Sequence, residues 1–203
     1  MSTSRMEAFS DGVLAIILTI MVLELRRPEA DTFAAFLQGT GPALLTYLLS
    51  FIYVGIYWNN HHHTLQMTDS VKAPAMWANL ALLFFLSLLP FATGWMDETS
   101  FARVPVIIYG TTLLLSSMAF FILQRVIIHS QGEYSPLRRA LGRDRKGKAP
   151  ALLYALGVLA AALDTTSSGI GVAIALSAYV VVALLWFIPD RRIDRTYHSD
   201  ASA

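Results

Sequence analysis

A short polar segment stands directly before an apolar run near the start of the chain. Residues 5–12 read Arg-Met-Glu-Ala-Phe-Ser-Asp-Gly, and the apolar run Val13–Leu23 follows without a break. Ionisable side chains at the edge of hydrocarbon are costly, so they tend to be kept for function and paired inside protein. Arg5 and Asp11 are therefore the first candidates for a site connected with a membrane.

The residues after Asp11 form one stripe if this run is helical, because positions three and four apart share a helix face. The stripe consists of Gly12, Ile16, Thr19, Ile20, Leu23 and Arg27. Periodicity alone favours plain packing against a helical bundle. A pore is the alternative, and it requires several copies of the helix, which a symmetric oligomer supplies. Rings of isoleucine or leucine then form a constriction that gates by dewetting.

Ser10 and Asp11 also have a simpler interpretation, as caps at the start of a helix. That interpretation does not explain a second polar set predicted at the same membrane edge. The set comprises Arg5, Trp58, His61, His62, His63 and Asn79. Asp11 is able to accept a hydrogen bond from a histidine, from the Trp58 indole or from the Asn79 amide. A buried network of this kind fixes a helix only if every member is satisfied.

The triplet His61-His62-His63 also suggests a metal site. Consecutive helical residues point about 100° apart, so three adjacent histidines cannot close on one ion. We therefore predict no metal site. One histidine is expected to face inward as a hydrogen-bond partner, and the others are expected to meet solvent or headgroups.

Composition places these residues in a membrane protein. Of the 203 residues 55% are hydrophobic and 14% are charged, against roughly 25% charged in soluble domains. A net charge of +1 gives no reason to expect a nucleic-acid partner. Cysteine is absent, which excludes disulfides, thiolate metal sites and cysteine nucleophiles. Motifs of phosphate loops, serine hydrolases and zinc proteases are missing, so we predict a non-enzyme without a cofactor.

Six apolar stretches predict an all-α membrane protein of one domain, residues 1–203. The predicted spans are 9–25, 41–61, 74–96, 104–128, 150–163 and 169–188, and residues 190–203 form a charged tail. Pro90 interrupts the third span. The segment around Phe33 and Leu37 is expected to form a short interfacial helix. Spans 1 and 5 are short for a membrane crossing, so span 1 is expected to be screened from lipid by its neighbours.

The basic residues support this count and place both termini in the cytoplasm. Three of the fifteen lie outside in this topology, namely Arg26, Arg27 and Arg103. The twelve inside are Arg5, Lys72, Arg125, Arg138, Arg139, Arg143, Arg145, Lys146, Lys148, Arg191, Arg192 and Arg195. This asymmetry follows the positive-inside rule. A cleaved secretory signal at span 1 is the alternative, but the charged residues 24–28 replace a small-residue cleavage site.

These residues resemble the prokaryotic branch of the transmembrane protein 175 family, the endosomal/lysosomal potassium channels. Arg-x-x-x-Phe-Ser-Asp-Gly at residues 5–12 carries the likeness, which covers roughly the first half of the chain. The other matching residues are Ile16, Thr19, Ile20, Leu23, Trp58, His61–His63, Asn79 and Pro90-Phe91. Spans 4 to 6 agree only in number and hydropathy.

The resemblance implies a homotetramer in which span 1 lines a central pore. Ile16 would form the narrowest ring, Ile20 and Leu23 further rings, and Thr19 a hydroxyl layer, with permeant K⁺ near Ile16 and Thr19. The structural network implied behind the pore is Arg5, Phe9, Ser10, Asp11, Gly12, Trp58, Asn79 and one histidine. Adjacent helical positions face differently, so the spacing leaves the histidine open, and we favour His62.

The function that follows is a passive potassium channel of the plasma or inner membrane, modestly selective over sodium, with a hydrophobic gate. Its partners would be its own copies, membrane lipids and K⁺. Two alternatives remain: a secondary transporter or proton-coupled exchanger, and a non-conducting assembly protein. The transporter predicts ionisable groups near mid-membrane beside broken helices. The assembly protein needs only apolar stripes that pack together.

Overall fold

The computed structural model describes residues 2–68, 70–132, 135–141, 145–164 and 169–187, and their regular structure is entirely helical. The predicted tail from Asp190 lies outside these residues. In chain order the helices are α1 (Thr3–Leu23), α2 (Phe33–Ala35), α3 (Gly41–Gln66), α4 (Ala73–Ser87), α5 (Leu89–Glu98), α6 (Arg103–Gln131), α7 (Pro136–Leu141), α8 (Arg145–Leu163) and α9 (Ile170–Phe187). A π-helical turn, Phe36–Thr40, joins α2 to α3.

Four of the described helical segments are long and apolar enough to cross a membrane. They are Thr3–Leu23, Phe33–Gln66, Ala73–Glu98 and Arg103–Gln131. The last two apolar helices, Ala149–Leu163 and Ile170–Trp186, are shorter, as the sequence predicted for span 5. The count of six crossings therefore stays a prediction.

The first helix begins six residues earlier than the sequence predicted. It starts at Thr3, after an extended Ser2 whose side chain makes no capping hydrogen bond. Met6, Glu7 and Ala8 are good helix formers, and no glycine or proline interrupts them. Ser10 and Asp11 consequently lie inside α1, so neither is a helix cap.

Several of the other helices have a proline in their first turn. Pro42 lies in the first turn of α3, and Pro90 lies in the first turn of α5, directly after the break at Leu88. Pro90 has no N–H to donate, so the helix is interrupted where the sequence predicted it. In contrast, Pro150 marks no boundary: α8 starts at Arg145 and contains Pro150, the residue at which the fifth span was predicted to begin.

The packing is densest around α6, which contacts α4, α5, α8 and α9. Tyr179 of α9 sits in this region against two glycines. A methyl group at Gly110 would lie 1.9 Å from the Tyr179 Oη, and one at Gly157 would lie 2.9 Å from its Cε1. The Tyr179 hydroxyl donates to the Val106 carbonyl at 3.3 Å, and the Tyr53 hydroxyl donates to the Tyr179 carbonyl. The glycines allow an aromatic ring between three helices.

A hydroxyl cluster ties α3 to α5 and α6. The Ser50 Oγ lies 2.8 Å from the Thr93 Oγ1 and 3.1 Å from the Tyr109 Oη, and all three residues are buried. Interhelical hydrogen bonds of this sort add specificity where apolar packing alone has no preferred partner.

In contrast to α6, α1 packs mainly against α3, α4 and α5. Its buried residues follow one stripe: Met6, Ser10, Leu14, Ile17 and Met21. The opposite face is exposed. The expectation that neighbours screen this helix therefore holds for only one of its faces within a single chain.

Candidate functional site

The exposed face of α1 carries every residue that the sequence placed in a pore lining. Ile16 is 60% exposed, Ile20 43% and Leu23 82%. Gly12, one turn before Ile16, and Thr19 are exposed as well. Their near neighbours Leu14, Ile17 and Met21 are at most 3% exposed. The helix thus separates two sets of similar apolar side chains by direction alone.

Thr19 carries the one hydroxyl group on this exposed face between Gly12 and Leu23. Its Oγ1 donates to the Ile16 carbonyl at 2.9 Å. A threonine hydroxyl has one proton and two acceptor lone pairs. Because the proton is used within the helix, the oxygen lone pairs are available to a cation beside the Ile16 and Ile20 side chains.

On the opposite side of α1, three buried polar side chains form a linear network. The Asn79 Nδ2 donates to the Ser10 Oγ at 3.0 Å, and the Asn79 Oδ1 lies 2.8 Å from the His61 Nε2. The Ser10 Oγ donates in turn to the Met6 carbonyl at 2.8 Å. All three residues are at most 2% exposed. Among the described residues no buried side-chain nitrogen or oxygen lacks a partner, so the network meets the condition for fixing α1 on α3 and α4.

A second attachment lies at the margin of the same contact. The Trp58 indole Nε1 of α3 donates to the Asp11 Oδ1 of α1 at 3.1 Å. Trp58 is 48% exposed and Asp11 half-buried, so this bond lies between the buried network and the exposed face. Asp11 therefore accepts from the indole, one of the three donors considered from the sequence.

A third attachment involves a residue that the sequence argument missed. The His62 Nδ1 is hydrogen-bonded to the Glu7 Oε1, and the His62 Nε2 lies 2.7 Å from the Gln66 Nε2. The His62 ring stacks on the Trp58 ring, with centroids 6.2 Å apart and an interplanar angle of 16°. Glu7 precedes Asp11 by one helical turn, and that spacing matches the turn from Trp58 to His62.

The histidine assignment favoured from the sequence needs correction. His61 rather than His62 is bonded to Asn79, and His62 contacts Glu7 instead. The buried stripe of α3 contained the relevant information, because Ser50, Tyr53 and Tyr57 lead at helical spacing to His61. Adjacent residues face about 100° apart, so His62 turns towards the margin of α1.

Three residues predicted in the network are not brought into it. Arg5, Phe9 and Gly12 lie on the exposed stripe of α1. Among the described residues the Arg5 side chain has no hydrogen-bond or ion-pair partner, and a methyl group at Gly12 would meet nothing within 4 Å. Their spacing of three to four residues continues into Ile16. Arg5, Phe9 and Gly12 therefore lie on the same face of α1 as the candidate pore residues.

The described residues contain no group of three or more histidine or acidic side chains arranged to hold a metal ion.

The other end of α1 is tied by polar contacts of a different kind. The Arg26 Nη2 lies 2.6 Å from the Glu98 Oε1, and the Thr40 Oγ1 donates to the Arg26 carbonyl at 2.9 Å. The hydrogen bond and charge of Glu98 raise the pKa of Arg26 above its ordinary value. Both partners of the ion pair are exposed, so its strength is set by solvent screening.

Comparison with known proteins supports one family. The family model described as the endosomal/lysosomal potassium channel TMEM175 matches residues 5–90. A potassium channel of Chryseobacterium sp. (strain P1-3) is 48% identical over 196 residues, which cover 97% of this chain and 98% of that protein. The human endosomal/lysosomal proton channel TMEM175 is 33% identical over 117 residues, 52% of this chain and 23% of the human protein.

A solved structure is also similar. The crystal structure of a lysosomal potassium-selective channel TMEM175 homolog from Chamaesiphon minutus superposes with a TM-score of 0.65 at 26% identity. The match covers 92% of this chain and 96% of that one. With its apolar helices and a relative similar over nearly the whole length, the chain is a multi-pass membrane protein and belongs to the TMEM175 family of channels.

Proposed function

We propose that the chain forms a homotetrameric, passive potassium channel in which the exposed face of α1 lines the central pore. The observation that carries the proposal is the division of α1 into a buried face and an exposed one. The exposed face contains Gly12, Ile16, Thr19, Ile20 and Leu23, and no part of the chain that the structure describes covers it. In a cyclic oligomer the same face of each copy meets at the symmetry axis.

The chemistry of this face suits a hydrophobic constriction with one polar layer. Ile16 forms the narrowest ring, with Ile20 and Leu23 as rings towards the far end of α1. Apolar rings discriminate by the cost of removing water from the ion. The Thr19 oxygen, whose proton is used by the Ile16 carbonyl, contributes a ligand beside that ring. Selectivity for potassium over sodium is therefore modest, and no resident cofactor is needed.

The topology proposed with this pore has six spans and both termini in the cytoplasm of a bacterial-type plasma membrane. The distribution of Lys and Arg supports it. The start of α1 is then at the cytoplasmic mouth, and Leu23 faces outward. Glu7 and Asp11 consequently belong to the cytoplasmic half of the helix.

Potassium is favoured over the proton as the physiological ion on grounds of similarity. The relative that matches almost the full chain is named a potassium channel. The animal relatives named proton channels match between 49% and 71% of this chain, and the match covers 23% of the human protein. A pore of isoleucine and leucine rings also lacks the titratable side chains that relay protons.

The test is a reversal potential, measured on the purified protein in a planar bilayer with potassium on one side and sodium on the other. A reversal potential shifted towards the potassium equilibrium value supports the proposal. A pH gradient across the same membrane separates proton conduction, which would move the reversal potential towards the proton value. Absence of current from a folded oligomer would favour the assembly protein, and coupled exchange without macroscopic current would favour the transporter.

The pore assignment has its own test in Ile16→Asn. An amide at the narrowest ring hydrates the constriction, so conductance should rise severalfold and selectivity should fall. Leu45→Asn is the matched control, since Leu45 is 70% exposed on α3. Unchanged conductance in Ile16→Asn, with the tetramer intact, would refute the ring.

A further inference from the structure

We propose that the end of α6 and the start of α7 form a binding site for the phosphate headgroup of an anionic phospholipid, with Arg125, Arg138 and Arg139 as its cationic side chains. The inference goes beyond the proposed function. It rests only on the orientation proposed there, which places this end of α6 at the cytoplasmic leaflet, and it does not depend on conduction.

Positive charge in this chain is concentrated in one segment. Residues 125–148 contain seven arginines and lysines and only two acidic residues, Glu133 and Asp144. The segment therefore carries a formal charge of +5, although the whole chain carries only +1. Clusters of about four to eight basic residues beside a membrane helix are typical of segments that bind anionic lipid headgroups. Charge complementarity thus favours a partner that carries phosphate.

The length of α6 places Arg125 at the level of the headgroups. The helix has 29 residues and is about 43 Å long, which exceeds a hydrocarbon core of about 30 Å. Arg103, its first residue, lies about 33 Å from Arg125 along the axis. Between them the helix exposes Val104, Met118 and Ile122, which are 56%, 49% and 51% exposed. The two arginines therefore bracket the part of α6 that faces the acyl chains.

These two arginines differ in their contacts. The Arg103 Nη2 donates to the Ala162 carbonyl near the end of α8. The Arg125 guanidinium instead lies over the Phe121 ring, with its Cζ 4.9 Å from the ring centroid. A ring face positions a guanidinium without using any of its five N–H donors. The contact with Phe121 thus leaves the donors of Arg125 for phosphate oxygens, whose geometry a guanidinium matches.

The start of α7 is attached to the end of α6. The Ser135 Oγ donates to the Gln131 Oε1 in the last turn of α6, and it accepts from the Arg138 backbone N–H at 3.2 Å. The Gln131 Nε2 donates in turn to the Met67 carbonyl at 2.7 Å. Leu137 is fully buried. These contacts fix α7 at the level at which α6 ends.

The arginines of α7 lie close to the depth of Arg125. Arg138 and Arg139 are both exposed, in contrast to the buried residues on either side of Pro136. Gln131, to which α7 is attached, lies six residues and therefore about 9 Å beyond Arg125. The headgroup layer on each side of a membrane is roughly 5 to 8 Å thick. Long arginine side chains from the two levels therefore reach the same layer of phosphates.

A phospholipid fits this arrangement better than a soluble anion or an acidic protein. Ile122 lies one turn before Arg125, so the cation stands at the boundary between acyl chains and headgroups. A phospholipid places a phosphate beside the guanidinium and its acyl chains beside Met118 and Ile122. A soluble anion leaves this apolar surface without a partner, and an acidic protein would first have to displace the headgroups.

The experiment is thermal unfolding of the purified protein in detergent with increasing concentrations of one of three additives. The additives are dioctanoyl phosphatidylglycerol, dioctanoyl phosphatidylcholine and inorganic phosphate. Phosphatidylglycerol should raise the unfolding temperature, and the other two should leave it nearly constant. At about 1 M salt, where the screening length is about 3 Å, the rise should disappear. An equal rise with phosphatidylcholine or with inorganic phosphate would overturn the site, because it would show binding of acyl chains alone or of a free anion.

Substitutions locate the site. Arg125→Gln should weaken the apparent affinity for phosphatidylglycerol about fivefold, the factor that one basic residue near an anionic surface contributes. The double variant Arg138→Gln with Arg139→Gln should weaken it about 25-fold, whereas Arg125→Lys keeps the charge and should retain most of the affinity. Arg27→Gln is the matched control, because it removes the same charge from an exposed position outside the segment. Equal effects of Arg27→Gln and Arg125→Gln would refute the site.

This readout involves no current, so it separates the lipid site from the proposed function. A protein that binds phosphatidylglycerol through Arg125 but conducts no potassium would refute the proposed function alone. A potassium channel without a preference for phosphatidylglycerol over phosphatidylcholine would overturn the lipid site alone.

Discussion

The two faces of α1 are built from similar side chains and differ almost completely in exposure. Leu14, Ile17 and Met21 are buried, whereas Ile16 and Leu23 are 60% and 82% exposed. In a membrane, lipid is about as apolar as leucine, so hydrophobicity does not decide which face packs inward. The buried face also carries Ser10, whose hydroxyl is bonded to Asn79. Polar contacts, rather than a difference in hydrophobicity, therefore decide which face of α1 packs inward.

The largest expected effect on stability comes from placing asparagine on the buried face of α1 rather than at the neighbouring position on the exposed face. Ile17→Asn buries an amide without a partner and removes a packed side chain, so the free energy of unfolding should fall by about 3 kcal/mol. Ile16→Asn is the matched variant and should leave folding almost unchanged while altering conductance. Denaturation in detergent measures the free energy of unfolding of both variants. Equal stability of the two variants would mean that the faces are equivalent.

The hydrogen bonds of Asn79 with Ser10 and His61 should be the next most sensitive feature. Asn79→Leu leaves Ser10 and His61 buried without their partner, which should cost about 2 kcal/mol of unfolding free energy. Asn59→Leu makes the same chemical change at an exposed position of α3 and should stay within about 0.5 kcal/mol. Unfolding in detergent provides the comparison. If Asn79→Leu is as stable as its control, apolar packing alone orients α1.

A smaller effect is expected at the margin between the faces. Trp58→Phe removes the indole donor to Asp11 and retains an aromatic ring against His62, so the cost should be about 1 kcal/mol. Trp77→Phe, at a residue that is 73% exposed on α4, is the control. Thermal unfolding at neutral pH measures the difference. Equal unfolding temperatures would show that Asp11 needs no indole partner.

The smallest effect is expected at the far end of α1. Arg26→Gln removes an exposed ion pair with Glu98, and exposed pairs contribute little because solvent and salt screen them. The melting temperature should be indistinguishable from wild type at physiological salt. A clear loss of stability, or one that persists in high salt, would show that both ends of α1 are held equally.

The sequence predicted the all-helical class and the break at Pro90, because both follow from local properties: hydropathy and a missing N–H. Helical spacing also grouped Ile16, Ile20 and Leu23 on one stripe, but periodicity alone favoured packing of that stripe against the bundle, whereas the structure leaves it exposed. The start of α1 was placed too late because the apolar run was taken as the helix. Helix propensity extends α1 towards the N-terminus as far as Thr3, through polar residues that a hydropathy pattern does not assign to a helix.

The polar contacts were harder to predict because they depend on how two helices are rotated against each other. Adjacent positions such as His61 and His62 differ by about 100° in direction, so an error of a quarter turn exchanges their partners. Glu7 was missed for the same reason. Its partner lies 55 residues away, and only the matching one-turn spacings on α1 and α3 relate the two. Arg5 was assigned by its charge, whereas its position on the helix places it with Ile16.

The fit of Tyr179 against Gly110 and Gly157 has a consequence for how this protein can change over generations. A methyl group at Gly110 would overlap the tyrosine, and shortening Tyr179 alone would remove the hydroxyl that reaches the Val106 carbonyl and leave a void between α6, α8 and α9. Single replacements at these positions are therefore unfavourable in either order. The three residues should be inherited as a unit.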